Sequence, residues 1–272
     1  MAIKKQKEKN LSVYLHEHGR EKRKRRILRN VIFVLLGALF LADGVGYLLL
    51  RTRFFRTSDI SVTGNKEVSS QDILAAARAQ VFEDSYLKYI FGFGHLMIWP
   101  ERLDKINELI PKIRNVEVEK SYLDRKIVLK VEERENYGVW CMMREEEKCF
   151  SFDSSGIIFS RGMPSEGSLI HNVRDHSGRQ LGMLARVLPE DKFNYLKEIF
   201  EVSAAAGLNY KFFKIEDMRK EEVEVVSSSG PTVYFSLRFS PVFALTALRG
   251  MGEDIGKFQY IDFRVENKAY YK

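Results

Sequence analysis

Cysteine is scarce: Cys141 and Cys149 are the two in 272 residues, and with no CxxC and no paired histidines accompanying them they fall short of the roughly four ligands that structural zinc takes. The motifs that most often mark catalysis are missing too. No GxSxG, HExxH or P-loop occurs, and no GxGxxG follows a strand; Phe91-Gly92-Phe93-Gly94 has glycines without the strand-to-helix setting that cradles a phosphate. His171, Asp175, His176 and Ser177 cluster in a polar, loop-like stretch, where such residues usually meet water. No repeat and no low-complexity linker interrupts the chain. The expectation is a binding protein with no catalytic residue, no metal and no cofactor.

Positive charge is in excess over one short stretch only. Residues 1–30 carry 11 Lys/Arg against three acids, so the net charge of +7 belongs to the N-terminus and the other 242 residues are close to neutral. The cluster Lys22, Arg23, Lys24, Arg25 and Arg26, with Arg29, has no interleaved aromatic residues to stack bases. Attraction to anionic lipid heads and a role in setting membrane orientation explain it, in preference to nucleic-acid binding.

Val31–Leu50 follows without a Lys or Arg, and as a helix these twenty residues span roughly 30 Å, the thickness of a bilayer's hydrocarbon core. Asp43 within it costs about 2.5–3.5 kcal/mol on the insertion scale, against about 4–8 kcal/mol returned by 13 Val, Ile, Leu and Phe. A cleaved signal peptide would have a shorter apolar core and a small-x-small site, whereas Arg51-Thr52-Arg53 follows here. The expectation is an uncleaved, single-pass type II anchor: cytoplasmic tail 1–30, transmembrane helix 31–50 and an extracytoplasmic remainder. An acid inside a membrane span is by default a functional candidate, so Asp43 is a candidate contact for another helix.

Beyond the anchor the elements read strand, helix, helix, strand, strand. Ile60 and Val62 alternate with Ser61 and Thr63 before Gly64-Asn65; Ser69 and Asp72 form a capping pair ahead of Ile73, Leu74, Ala77 and Val81. A second helix is predicted from Pro100, burying Leu103, Ile106, Leu109 and Ile110 and stopped by Pro111. Val116 and Val118, then Ile127, Leu129 and Val131, alternate with charged residues as a hairpin around Ser121–Arg125. The aromatic run at 85–99 either dips into the membrane interface or packs on the core, and core packing is preferred.

Past Tyr137 come short strands at Tyr137–Met142, Lys148–Phe152, Ile157–Phe159, Phe212–Glu216, Glu222–Val226, Thr232–Leu237, Tyr260–Val265 and Ala269–Lys272. Helices are predicted from Pro189 to about Gly207 and from Ser240-Pro241. Cys141 and Cys149 lie in the part placed outside the cytoplasm, where a disulfide across a hairpin is preferred over two free thiols. In Tyr260–Arg264, Ile261 and Phe263 face a core while Tyr260, Asp262 and Arg264 share the other face. The fold class is α+β: one transmembrane helix, a β-α-α-β-β module over 56–134, and a mixed, mainly antiparallel β domain with two or more helices over 135–272.

Several segments resemble, in order and spacing, the FtsQ/DivIB family of bacterial cell-division proteins. Ile60–Asn65 with the helix near Ser69 looks like the opening of that family's POTRA module, and Pro111–Val116 with Ile127–Glu135 like its close. Asp153, Gly156 and Phe159 are similar to the start of the family's β domain. Tyr260–Arg264 with Asn267, Tyr270, Tyr271 and Lys272 is close to its terminal motif. The resemblance implies a non-enzymatic septal scaffold binding FtsB- and FtsL-like proteins, the former by strand addition involving Tyr260, Asp262, Arg264, Tyr270, Tyr271 and Lys272. It also implies further division partners reached through the POTRA module and the membrane helix. The alternative of another class is a membrane-anchored envelope hydrolase or transferase whose site is not recognised; a third is a POTRA protein of secretion or outer-membrane assembly, which would ordinarily carry tandem modules.

Overall fold

A computed structural model of the chain describes residues 26–48, 52–83, 86–144, 146–164 and 170–272. Lys22, Arg23, Lys24 and Arg25, most of the basic cluster, lie outside the described residues, as do Leu49–Arg51. The first element is helix α1, Arg26–Leu48. Its 23 residues, about 34 Å at 1.5 Å each, reach a mean hydropathy of 2.2, and none of its apolar window is buried among the described residues. It is one helix, near the N-terminus, long and apolar enough to cross a membrane. Arg26 and Arg29 stand at its start and Asp43 is within it.

Next come β1 (Asp59–Thr63), α2 (Ser70–Glu83), α3 (Tyr86–Phe91), α4 (Ile106–Leu109), β2 (Ile113–Ser121) and β3 (Lys126–Glu133). A second run holds β4 (Gly138–Met142), β5 (Lys148–Phe152), β6 (Ile158–Arg161), β7 (His171–Asp175), α5 (Glu190–Ala205), β8 (Tyr210–Ile215), β9 (Glu222–Ser227), β10 (Thr232–Ser236), α6 (Val242–Met251), β11 (Tyr260–Phe263) and β12 (Tyr270–Tyr271). The class is α+β with mixed pairing. Two compact units are distinguished.

The first unit holds α1 and the residues after it to Ile60, with Tyr86–Trp99 and Lys120–Ile127. Thr57 N donates to Gly94 O at 2.7 Å and Ser58 N to Arg125 O at 2.7 Å, tying both excursions to the segment that leaves α1. The aromatic run divides: His95, Leu96, Ile98 and Trp99 are buried, with Trp99 Nε1 donating to Phe93 O, while Tyr89, Ile90 and Met97 are exposed.

The three-stranded sheet, most of whose residues belong to the second unit, runs β1-β3-β2. Helix α2 starts as its capping residues dictate: Ser69 Oγ accepts from Asp72 N and donates to the Asp72 carboxylate. The helix predicted from Pro100 shrinks to the single turn α4. Glu101 O accepts from Val118 N and Leu103 N donates to Val116 O, so these residues are spent on pairing with β2 and cannot close helical turns. Leu109, expected in the core, is exposed.

The large sheet has the order β12-β11-β10-β9-β8-β7-β4-β5-β6, with β10–β11, β7–β8 and β4–β7 parallel. Phe193, Leu196, Ile199 and Phe200 of α5 and Ala244 and Leu248 of α6 cover one face, over Val173, Phe213, Val225, Val233, Phe235 and Ile261. Strand β7 corrects the expectation of a wetted loop at His171–Asp175, because these residues form an inner strand between β8 and β4. Asp175 is held there by Trp140 Nε1 (3.1 Å), which reaches it from β4, and by Arg179 Nη2 (2.8 Å), four residues on; both donate to its Oδ2, and the His171 ring stacks on Phe200 at 4.2 Å. Cys141 and Cys149 are directly opposite in the β4–β5 register and are joined by a disulfide.

Candidate functional site

A sheet of nine strands has two edges, and they differ. Beside β6 the chain lays its own segment: Ile158 N donates to Ala185 O, and Ile158 O accepts from Leu184 N. At the other edge stands β12, paired on one side with β11 and on the other with nothing among the described residues. An unpaired strand edge carries a row of N–H and C=O groups that another chain can use.

Which groups these are follows from register. Ile261 stands opposite Tyr271, and Lys272 N donates to Tyr260 O while Lys272 O accepts from Gln259 N. In an antiparallel pair the backbone groups alternate, so those of Tyr270 and Lys272 turn toward β11 and those of Tyr271 turn away from it. Tyr271 presents the outward N–H and C=O.

Tyr270 has a different task. Successive registers align Lys214, Glu224, Tyr234, Asp262 and Tyr270 across β8 to β12, on the face opposite the buried Val225, Val233 and Ile261. The row is knit by charge and ring contacts. Arg264 donates through Nε (2.9 Å) and Nη2 (2.6 Å) to the two Asp262 oxygens and through Nη1 (3.0 Å) to Glu222. Its guanidinium lies 4.9 Å from the Tyr234 ring centroid, and Tyr234 meets Tyr260 edge to face at 6.3 Å. The Arg264 hydrogen bonds hold the Asp262 carboxyl below its usual range against the opposing effect of burial, and the same pairing raises Arg264.

The chain matches no protein-family model, and no curated protein is similar enough to it to count as a relative.

Of the residues singled out from the sequence, Tyr260, Asp262, Arg264 and Tyr270 come together on this face, with Lys272 just past the end of β12. The Tyr271 side chain turns to the other face, against Phe258 at 4.8 Å. Cys141 and Cys149 lie six and seven strands away from β12 in the same sheet, and Arg26, Arg29 and Asp43 belong to α1. Sequence reading missed Tyr234, Glu222, Glu224 and Lys214. The alternation within β8, β9 and β10 flags them as outward-facing, but only register places them on one face with Asp262.

The end of the three-stranded sheet is fixed to the first turn of the large one. Arg134 Nη1 donates to Asp153 Oδ2 at 2.5 Å and Arg134 Nε to Pro111 O, while Asp153 Oδ1 accepts from Ser155 N and Ile157 N. Both are residues on which the family resemblance was drawn.

Proposed function

We propose that the protein is a non-enzymatic division scaffold of the FtsQ/DivIB type, which takes an FtsB-like segment as an added strand along β12. The free edge at Tyr270–Tyr271, beside a face already ordered by Asp262 and Arg264, is the observation that carries the reading. Main-chain hydrogen bonds to Tyr271 would supply affinity, and side chains of the Tyr234–Asp262–Tyr270 row would supply selectivity. In this reading residues 56–134 are a POTRA module, and the order β1-α-α-β2-β3 with sheet order β1-β3-β2 supports it. Residues 135–272 are the β domain.

Helix α1 anchors the chain with its basic end in the cytoplasm, by the excess of Lys and Arg ahead of it, and the folded part stands outside at the division septum. The FtsL-like protein joins through its coiled coil with the FtsB-like one, and other division components meet the POTRA module or α1. Asp43 contacts a partner helix there. Equal septal recruitment of an Asp43→Leu chain would remove that contact from the account.

Affinity capture of the full-length chain from membranes of the source cell tests the reading. An FtsB-like coiled-coil protein is expected to co-purify with the wild type and to be lost from a Tyr271→Pro chain. Equal recovery with both chains would argue against strand addition at this edge.

A further inference from the structure

The first unit carries exposed apolar side chains that its own packing leaves uncovered. Phe54 is 51% exposed, Tyr89 60%, Ile90 65%, Met97 51% and Leu123 90%. They come from three separate stretches of sequence, and hydrogen bonds place all three beside the end of the membrane helix. Thr52 donates both its N–H (3.1 Å) and its hydroxyl (2.6 Å) to Leu48 O, and the 3-10 turn Arg53–Phe55 follows.

Within five residues of that turn the other two stretches are attached. Arg56 bridges to His95, Thr57 N donates to Gly94 O, and the Phe55 ring stacks on His95 at 5.9 Å, with Phe91 on the other contact of that imidazole at 4.8 Å. Arg125 O accepts from Ser58 N (2.7 Å) and from Thr57 Oγ1 (2.9 Å), which holds the Tyr122–Asp124 hairpin tip. The same unit also exposes Arg53, Arg56 and Lys126, together with Asp59 and Asp124.

A chain that leaves a bilayer at Leu48 can rise only a short way before Arg56–Ser58 fix these stretches to it. Aromatic and aliphatic side chains mixed with cations are the composition that settles at the headgroup boundary. We infer that Phe54, Tyr89, Ile90, Met97 and Leu123 insert into the headgroup and upper acyl layer of the bilayer crossed by α1. The folded first unit is thereby seated on an anionic outer leaflet instead of swinging on a free tether. The inference rests on α1 crossing the membrane but not on the division role.

The test uses the full-length chain in vesicles of phosphatidylethanolamine and phosphatidylglycerol that carry a doxyl quencher high on the acyl chain. The native cysteines are bonded to each other, so single cysteines introduced at exposed sites take an environment-sensitive fluorophore: Ile90→Cys and Met97→Cys as reporters, Phe40→Cys inside α1, and Glu266→Cys at an exposed, charged site of the second unit. The inference predicts blue-shifted, quenched emission at 90 and 97, as at 40, with 266 unshifted and unquenched. Quenching at 40 with water-like, unquenched emission at 90 and 97 would overturn it, as would a blue shift there without lipid quenching, which marks a protein contact or a second copy. Loss of quenching at 40 would instead overturn the membrane span itself.

Discussion

Arg134 Nη1 and Asp153 Oδ2 are 2.5 Å apart, with both side chains less than a tenth exposed. A buried pair of this kind adds little over an apolar one of the same shape, but losing one partner strands a charge and costs about 3–5 kcal/mol. Arg134→Met is expected to lower the thermal stability of the detergent-solubilised chain by that amount. Arg134→Lys keeps the charge and gives up the fork geometry that also reaches Pro111 O, so its expected loss is about 1–2 kcal/mol.

Gly64 has φ +86°, and a Cβ built there would stand 2.3 Å from Val131 O. Gly64→Ala is expected to cost about 1–3 kcal/mol for the backbone conformation alone, plus the clash with β3. Denaturant titration of the purified chain measures this; wild-type stability in the variant would mean that the turn into α2 is not held as described.

His171 is half-buried against Phe200, and its Nδ1 has no hydrogen-bond partner among the described residues. Burial lowers its pKa from the usual 6.5. The unfolded chain therefore binds a proton that the folded chain resists, so stability is full above about pH 6.5 and falls as pH drops below it. His171→Phe, which keeps the stack, is expected to flatten the fall in melting temperature between pH 7.5 and 5.5.

Cys141 and Cys149 close a loop of about nine residues, which stabilises by roughly 2.5 kcal/mol on the chain-entropy model. Cys141→Ala/Cys149→Ala is expected to lose about that much in denaturant titration while retaining partner capture, because the pair is far from β12.

Local chemistry was the legible part of this chain. Ser69 with Asp72 marks the start of α2, Val116 and Val118 mark a strand with one wet face, and the spacing of Phe193, Leu196, Ile199 and Phe200 marks α5, because each pattern is decided within a few residues. Two elements were hidden for the opposite reason. Asp175 looks like a loop residue until Trp140 reaches it from β4, 35 positions away, and Leu103 looks helical until β2 takes its N–H. At the candidate edge the outward set Tyr260, Asp262 and Arg264 was readable from alternation. That Tyr234 and Glu222 join it depends on strand order and on a parallel β10–β11 pairing, which no local pattern encodes.

Backbone hydrogen exchange over Lys268–Lys272 tests the central claim most directly, because Tyr271 N–H has no acceptor in β11 and its exposure is decided by whether another strand binds. Adding the extracytoplasmic segment of the proposed FtsB-like partner to the full-length chain is predicted to slow exchange at Tyr271, with no such slowing in β6 at the opposite edge. Binding that leaves Tyr271 exchange unchanged, or that protects β6 instead, would contradict strand addition at β12.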